Sequence, residues 1–111
     1  MSGYVLSLDA EEDLQDIYLY SEETWGPEQA ARYLQELFET FGHIGRNPHM
    51  GRSRPELGSD LRSLPHVAHV IFYMEWRGEV AILRVLHGSR DTGGLFADHD
   101  PRAGLNDDGT S

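Results

Sequence analysis

HVAHVIFYMEWRGEVAILRVLH, residues 66–87, decides the fold. Its first half, His66 to Trp76, is rich in Val, Ile, Phe, Tyr and Trp, which suit a pleated surface packed against neighbours. Arg77-Gly78 interrupts the run as a two-residue turn of the hairpin type, and Glu79 to His87 follows as the partner strand. Both strands are apolar on nearly every residue rather than on alternate ones. Both faces of the hairpin must therefore be at least partly covered.

The cover comes from upstream. Asp9-Ala-Glu-Glu12 carries an Asp followed three residues later by a Glu, the pattern of a capping box, and its acids suit the positive end of a helix dipole. Ala10, Leu14, Ile17, Tyr18 and Ser21 then recur at helical spacing, which predicts a helix from about Ala10 to Thr24. Trp25-Gly26-Pro27 breaks it, with Pro27 suited to the first turn of a second helix. Ala30, Leu34, Leu37, Phe38, Phe41 and Ile44 form the apolar stripe of that second helix, which should end near Gly45. Two helices joined by so short a link run antiparallel, as a hairpin. Tyr4 to Leu8 reads as a first strand. Leu61-Arg62-Ser63-Leu64 reads as a short strand stopped by Pro65, after a loop marked by Pro48, Gly51, Pro55 and Gly58.

The helical stripe holds about six side chains worth roughly 1.5–3 kcal/mol each when fully buried, against about 1–2 kcal/mol of backbone entropy per residue ordered. The hairpin cannot stand alone and must lie on the sheet. The expected fold is α+β: two layers, an antiparallel helical hairpin on a small, mostly antiparallel sheet, in the order β-α-α-β-β-β. Residues 1–95 form the domain, and 96–111 an acidic, flexible tail.

At 111 residues the chain suits one domain. It has no cysteine, which excludes disulfides, zinc–thiolate centres and thiol catalysis. The N-terminus lacks a basic start followed by an apolar stretch, and no apolar run is long enough to span a bilayer. The expectation is a cytoplasmic protein without membrane contact. The net charge is −10, and every basic residue is Arg. Its distribution is uneven: residues 1–45 carry −9, residues 46–90 carry +3 and residues 91–111 carry −4. Direct nucleic-acid binding is disfavoured except at a local patch in the central Arg block.

That block supplies the candidate site. Arg52 and Arg54 lie in the loop, Arg62 on the short strand, and Arg84, His87 and Arg90 at the end of the last strand. Arg84 sits within an apolar strand, so it must reach an acid, such as Asp91 or Glu56, or a bound anion. His87 could be a hydrogen-bonded structural residue or a general acid, and Tyr73 could pack on the helices or stack on a base. His66 and His69, read as three apart on one strand, should face opposite sides. No metal or cofactor site is read.

Several stretches together resemble a known family. They are Leu6-Ser-Leu-Asp-Ala-Glu-Glu-Asp-Leu14 with Ile17 and Tyr20; Trp25-Gly26 with Gln29-Ala30 and Tyr33-Leu34; Asn47-Pro-His-Met-Gly-Arg52 with Leu61-Arg62-Ser63; His69-Val-Ile-Phe-Tyr73; and Arg84-Val-Leu-His-Gly-Ser-Arg-Asp91. Over about residues 4–95 the chain resembles the ParE toxins of the RelE/ParE superfamily of bacterial type II toxin–antitoxin systems. The resemblance implies a toxin neutralised by a ParD-like antitoxin, whose C-terminal helix and extended segment wrap the toxin. ParE-like members act on DNA gyrase, whereas RelE-like members cut mRNA on the ribosome. As a nuclease this chain would use Arg62, Arg84 and His87; as a gyrase poison it would bind its target through some of Arg52, Arg54, Arg62, Tyr73, Arg84, His87 and Arg90. Gly88 after His87 and the absence of Lys favour the gyrase alternative. A third possibility is a non-toxic member that only binds its antitoxin.

Overall fold

The computed structural model describes residues 3–90 together with Arg102 and Leu105. The elements are β1 (Tyr4–Leu6), α1 (Leu8–Trp25), α2 (Pro27–Arg46), a 3₁₀ turn (Pro48–Met50), β2 (Arg52–Ser53), β3 (Arg62–His66), β4 (His69–Trp76) and β5 (Glu79–His87). The sheet order is β1-β5-β4-β3-β2, with β1 parallel to β5 and every other pair antiparallel. This is the expected two-layer α+β architecture, with the two-residue β2 as an addition.

The long hairpin turns at Arg77 (φ 53°) and Gly78 (φ 79°). Positive φ at both central residues gives the turn the twist that two strands need. The hairpin is covered on both faces, as its continuous apolarity requires. On one face Ile71, Tyr73, Val80, Ile82 and Val85 meet Ala10, Leu14 and Ile17 of α1 and Leu37, Phe41 and Ile44 of α2. On the other, Ala81 and Leu83 are fully buried with Leu61, flanked by Leu57, Met74 and Trp76. Leu105 also packs on this second cluster, although it belongs to the 96–111 segment expected as a tail. The rest of that segment, and the boundary at 95, lie outside the described residues.

Three expectations need correction. First, α1 starts at Leu8 rather than Ala10, and its cap is Ser7 rather than Asp9. Ser7 follows β1 directly and keeps extended backbone (φ −70°, ψ 164°), and its Oγ accepts from the Ala10 amide at 3.0 Å. A cap needs that non-helical conformation; Asp9, in the first turn, only complements the dipole. Second, residues 66–76 are not one strand. The chain reverses at Val67-Ala68, so His66 pairs directly across from His69. Val67 takes φ 54°, rare for a β-branched residue, so the turn carried no turn-type composition. Third, Pro65 does not end β3 but lies within it, opposite Val70. β2 pairs only with Arg62 and Ser63, so among the described residues β3 has an unpaired edge from Leu64 onward, where a residue without an N–H is tolerated.

β1 covers β5 only over Val80 to Ile82. Past that point Ser7 continues the cover: its amide donates to the Ile82 carbonyl at 3.0 Å and its hydroxyl to the Leu83 carbonyl at 2.9 Å. Ser7 thus serves both the cap of α1 and the edge of the central strand. Ser7→Ala should destabilise the protein by about 0.5–2 kcal/mol, the usual range for a lost cap, measured as a lower urea midpoint with an unchanged slope.

Candidate functional site

The residues expected to gather into one site sit on three successive parts of the sheet, and most of the cations are already engaged. Near the β2 edge, Arg62 pairs across from Tyr73. The Tyr73 hydroxyl donates to the Pro48 carbonyl at 2.7 Å and accepts from the Gly51 amide at 2.8 Å. Gly51 is required by contact rather than conformation, since a Cβ there would overlap the Tyr73 hydroxyl and the Ser63 carbonyl. Tyr73 is fully buried, and burial raises its phenol pKa. It therefore packs, and cannot stack on a base. Arg62 donates to the Gly51 carbonyl at 2.8 Å and contacts His49 Nδ1 at 3.1 Å. Arginine only donates, so Nδ1 carries the lone pair and the proton lies on Nε2, facing Glu75 at 3.1 Å. Arg62 thus fastens the 3₁₀ turn to the sheet.

Arg54 is held in the next row. It donates to Glu56 at 2.6 Å and to Ser63 Oγ at 3.0 Å, and lies 5.9 Å from the centroid of the Phe72 ring. Its hydrogen bond lowers the Glu56 pKa. Ser63, Phe72 and Arg84 stand opposite one another across β3, β4 and β5. Arg84, however, turns to α1. Its Nε and Nη2 donate to the two carboxylate oxygens of Asp13 at 2.8 and 2.9 Å, and the Val85 amide adds a bond to the same carboxylate at 2.9 Å. The paired side chains are only 17% and 10% exposed. The sequence named Asp91 or Glu56 as possible partners. Glu56 is taken by Arg54, Asp91 lies outside the described residues, and the partner is Asp13, seventy-one positions away. A backbone bulge between Phe72 and Tyr73 re-aims this part of the sheet.

Three histidines form the last row. His66, His69 and His87 stand opposite one another across β3, β4 and β5, so the expectation that His66 and His69 face opposite sides is wrong. The Tyr33 hydroxyl of α2 lies 2.7 Å from His69 Nδ1, and the Tyr33 ring contacts both His66 and His69. His69 and His87 meet edge to face at 5.7 Å. Burial lowers the His69 pKa, and the neighbouring His87 and His66 lower it further against a small opposing effect of Asp13. The lowered pKa favours the neutral ring beside the Tyr33 hydroxyl, which also donates to the His66 carbonyl at 3.3 Å. His87 is exposed; its Nδ1 accepts from the Ser89 amide at 3.1 Å and lies 2.8 Å from the Ser89 hydroxyl. Arg52 and Arg90 are exposed on β2 and just after β5. Among the described residues no group of three His, Asp or Glu side chains is placed to hold a metal, and no helix is long and apolar enough to cross a membrane.

A second feature was not legible as a site. Along the helical hairpin, Leu14, Gln15, Tyr18, Leu19 and Leu34 line an open, almost wholly apolar groove of about 450 Å³. Nearby, Tyr20 and Trp25 are exposed and meet edge to face at 6.2 Å. Leu19 and Tyr20 fall off the buried stripe of α1, and that mismatch was the available signal.

The chain matches the family model described as "ParE toxin of type II toxin-antitoxin system, parDE" over residues 4–92. It is 44% identical over 89 residues to Toxin ParE1 of Caulobacter vibrioides, covering 80% of this chain and 92% of that protein. It is 34% identical over 91 residues to Toxin ParE1 of Mycobacterium tuberculosis, covering 81% and 93%. Its fold superposes with TM-score 0.68 on a chain of the chromosomal ParDE toxin–antitoxin system from P. aeruginosa, at 24% identity over 78% of this chain and 96% of that one.

Two outcomes follow from the geometry. Asp13→Ala removes the carboxylate from the part-buried Arg84 guanidinium and leaves the buried Val85 amide unsatisfied. It should cost about 1–3 kcal/mol in urea unfolding. The His69 environment fixes the sign of a pH effect. Its pKa is depressed in the folded state, so its contribution is complete above the ordinary histidine value of about 6.5 and is lost as pH falls from there through the folded value. The facing groups are His66 on β3, His87 on β5, Asp13 on α1, and Tyr33 with Glu36 on α2. A stability profile across this window should slope downward toward acid, and His69→Gln should flatten it.

Proposed function

This chain belongs to the ParE toxin family of type II toxin–antitoxin systems, and we propose that it is a toxin held inactive by a ParD-like antitoxin and directed at DNA gyrase. It acts by binding, without bond-breaking chemistry of its own. The observation that carries the target reading is the engagement of Arg84. An RNA-cleaving site needs cationic groups free to meet the charge that develops on a phosphorane. Here the guanidinium in that position is closed onto Asp13 through two bonds, and Arg62 and Tyr73 are committed to the Pro48–Gly51 turn. The net charge of −10 also opposes approach to ribosomal RNA. Of the candidates named from the sequence, Arg52, His87 and Arg90 are the exposed ones among the described residues.

The antitoxin reading rests on the groove along the α1–α2 hairpin. An apolar channel on a small protein invites the apolar face of a helix, which is the helix-in-groove mode of recognition.

One observation favours the ribonuclease alternative: His87 is exposed at the end of β5, where its imidazolium form would be accessible to a substrate as a general acid. Two assays separate the readings. Purified gyrase with ATP, supercoiled DNA and the antitoxin-free protein should accumulate cleaved DNA, and added antitoxin should abolish it. His87→Ala should leave that activity within a few-fold of wild type. Absence of cleaved DNA at toxin excess, together with mRNA cleavage on translating ribosomes that falls roughly 10²–10⁴-fold in His87→Ala, would overturn the proposal in favour of the nuclease.

A further inference from the structure

The groove along the helical hairpin has a charge as well as a shape. Leu14, Gln15, Tyr18 and Leu19 supply its α1 side and Leu34 its α2 side. One helical turn before Gln15 stand Glu11 and Glu12, and one turn after Tyr18 and Leu19 stand Glu22 and Glu23. Arg32 is the only basic residue among residues 1–45, which together carry −9. By helical spacing these acids flank the α1 wall of the channel at either end, Glu12 also acting on Arg84.

We infer that the antitoxin segment seated in this groove is a cationic amphipathic helix. Its apolar residues, at three- and four-residue spacing, fill the channel, and Lys or Arg on its flanks face Glu11 and Glu12 at one end and Glu22 and Glu23 at the other. The inference rests on the toxin–antitoxin reading and adds the chemistry of the partner's docking face. A second copy of this chain is a poor occupant. Its helices carry the same acids, against only Arg32 and Arg46 on α2 and no basic residue on α1. A nucleic acid is repelled by the same rim. A basic helix gains from both features: burial of its apolar face and paired charges that set its register and favour it over acidic competitors. The groove therefore selects its antitoxin by charge.

The test uses the full chain and the purified antitoxin encoded beside it, with affinity measured at 50 and 300 mM NaCl. Leu19 is 58% exposed, so Leu19→Asp leaves the core intact while placing a charge in the channel. Wild type should bind, and Leu19→Asp should lose at least tenfold. The variant Glu11→Lys/Glu12→Lys/Glu22→Lys/Glu23→Lys, confirmed as folded by circular dichroism, should lose about tenfold or more at low salt, and wild-type affinity should fall as salt rises. If wild type binds and Leu19→Asp binds equally, the groove is not the docking site. If only the four-residue reversal and the salt have no effect, the groove is used but its partner is not cationic. Either result overturns the inference while leaving the toxin reading intact. Failure of the wild type to bind any antitoxin overturns both, and concentration-dependent self-association blocked by Leu19→Asp would assign the groove to a second copy.

Discussion

The structure depends on how the exposed edge of its central strand is closed. β5 pairs with β4 along its whole length, but β1 covers its other edge only over Val80–Ile82. A strand edge left open inside a protein carries backbone groups that must find partners. α1 supplies them. Ser7 bonds the carbonyl of Leu83, and Asp13 accepts the amide of Val85 while holding both arms of Arg84. Two polar side chains, six positions apart on the first helix and its cap, replace the missing strand. They also fix where α1 lies, and through the tight link at Gly26 they fix α2.

The same closure shapes the functional reading. Arg84 looks in sequence like an available cation of the sheet, because it stands among apolar neighbours and its true partner is far away along the chain. In space it is the best-neutralised one. Arg62 and Arg54 follow the same pattern nearer β2: Arg62 of β3 holds the Gly51 carbonyl, and Arg54 of the loop after β2 holds Ser63 of β3 and Glu56. The central +3 block is in large part a set of structural clamps. What remains for partners among the described residues is a few exposed groups at the sheet margins and an apolar groove along the helical hairpin. Such a surface suits a protein that works by being bound and by binding.

Much of the fold was legible because it rests on local signals. The continuous apolarity of residues 70–86 demanded cover on both faces, and Arg77-Gly78 announced its turn. The stripe from Ala30 to Ile44 identified α2, of which only Phe38 and Leu34 are incompletely buried. The errors arose where a local signal was missing or was outcompeted. Val67 turns the chain without turn-type composition, so the histidine row across three strands was invisible. Ser7 took the cap that Asp9 also fitted, because only Ser7 keeps the extended backbone leaving β1. The partner of Arg84 could not be read at all, since nothing in sequence marks which of ten acids in the first 45 residues will meet a strand so distant. The groove was equally hidden, because an exposed Leu is ordinary until its neighbours in space are known.

The central claim is that the Asp13–Arg84 pair is architecture rather than a target-binding site. The direct measurement is the activity of a variant that keeps hydrogen-bonding groups but removes both charges, Asp13→Asn with Arg84→Gln. In it the Asn oxygen still accepts from the Val85 amide, and the Asn amide group can donate to the neutral side chain at position 84. Growth arrest on induction without antitoxin, scored against circular dichroism and a urea titration of the same protein, gives the answer. Arrest comparable to wild type from a folded double variant is the predicted result. A folded double variant that no longer arrests growth would contradict the account and return Arg84 to the surface that meets the target.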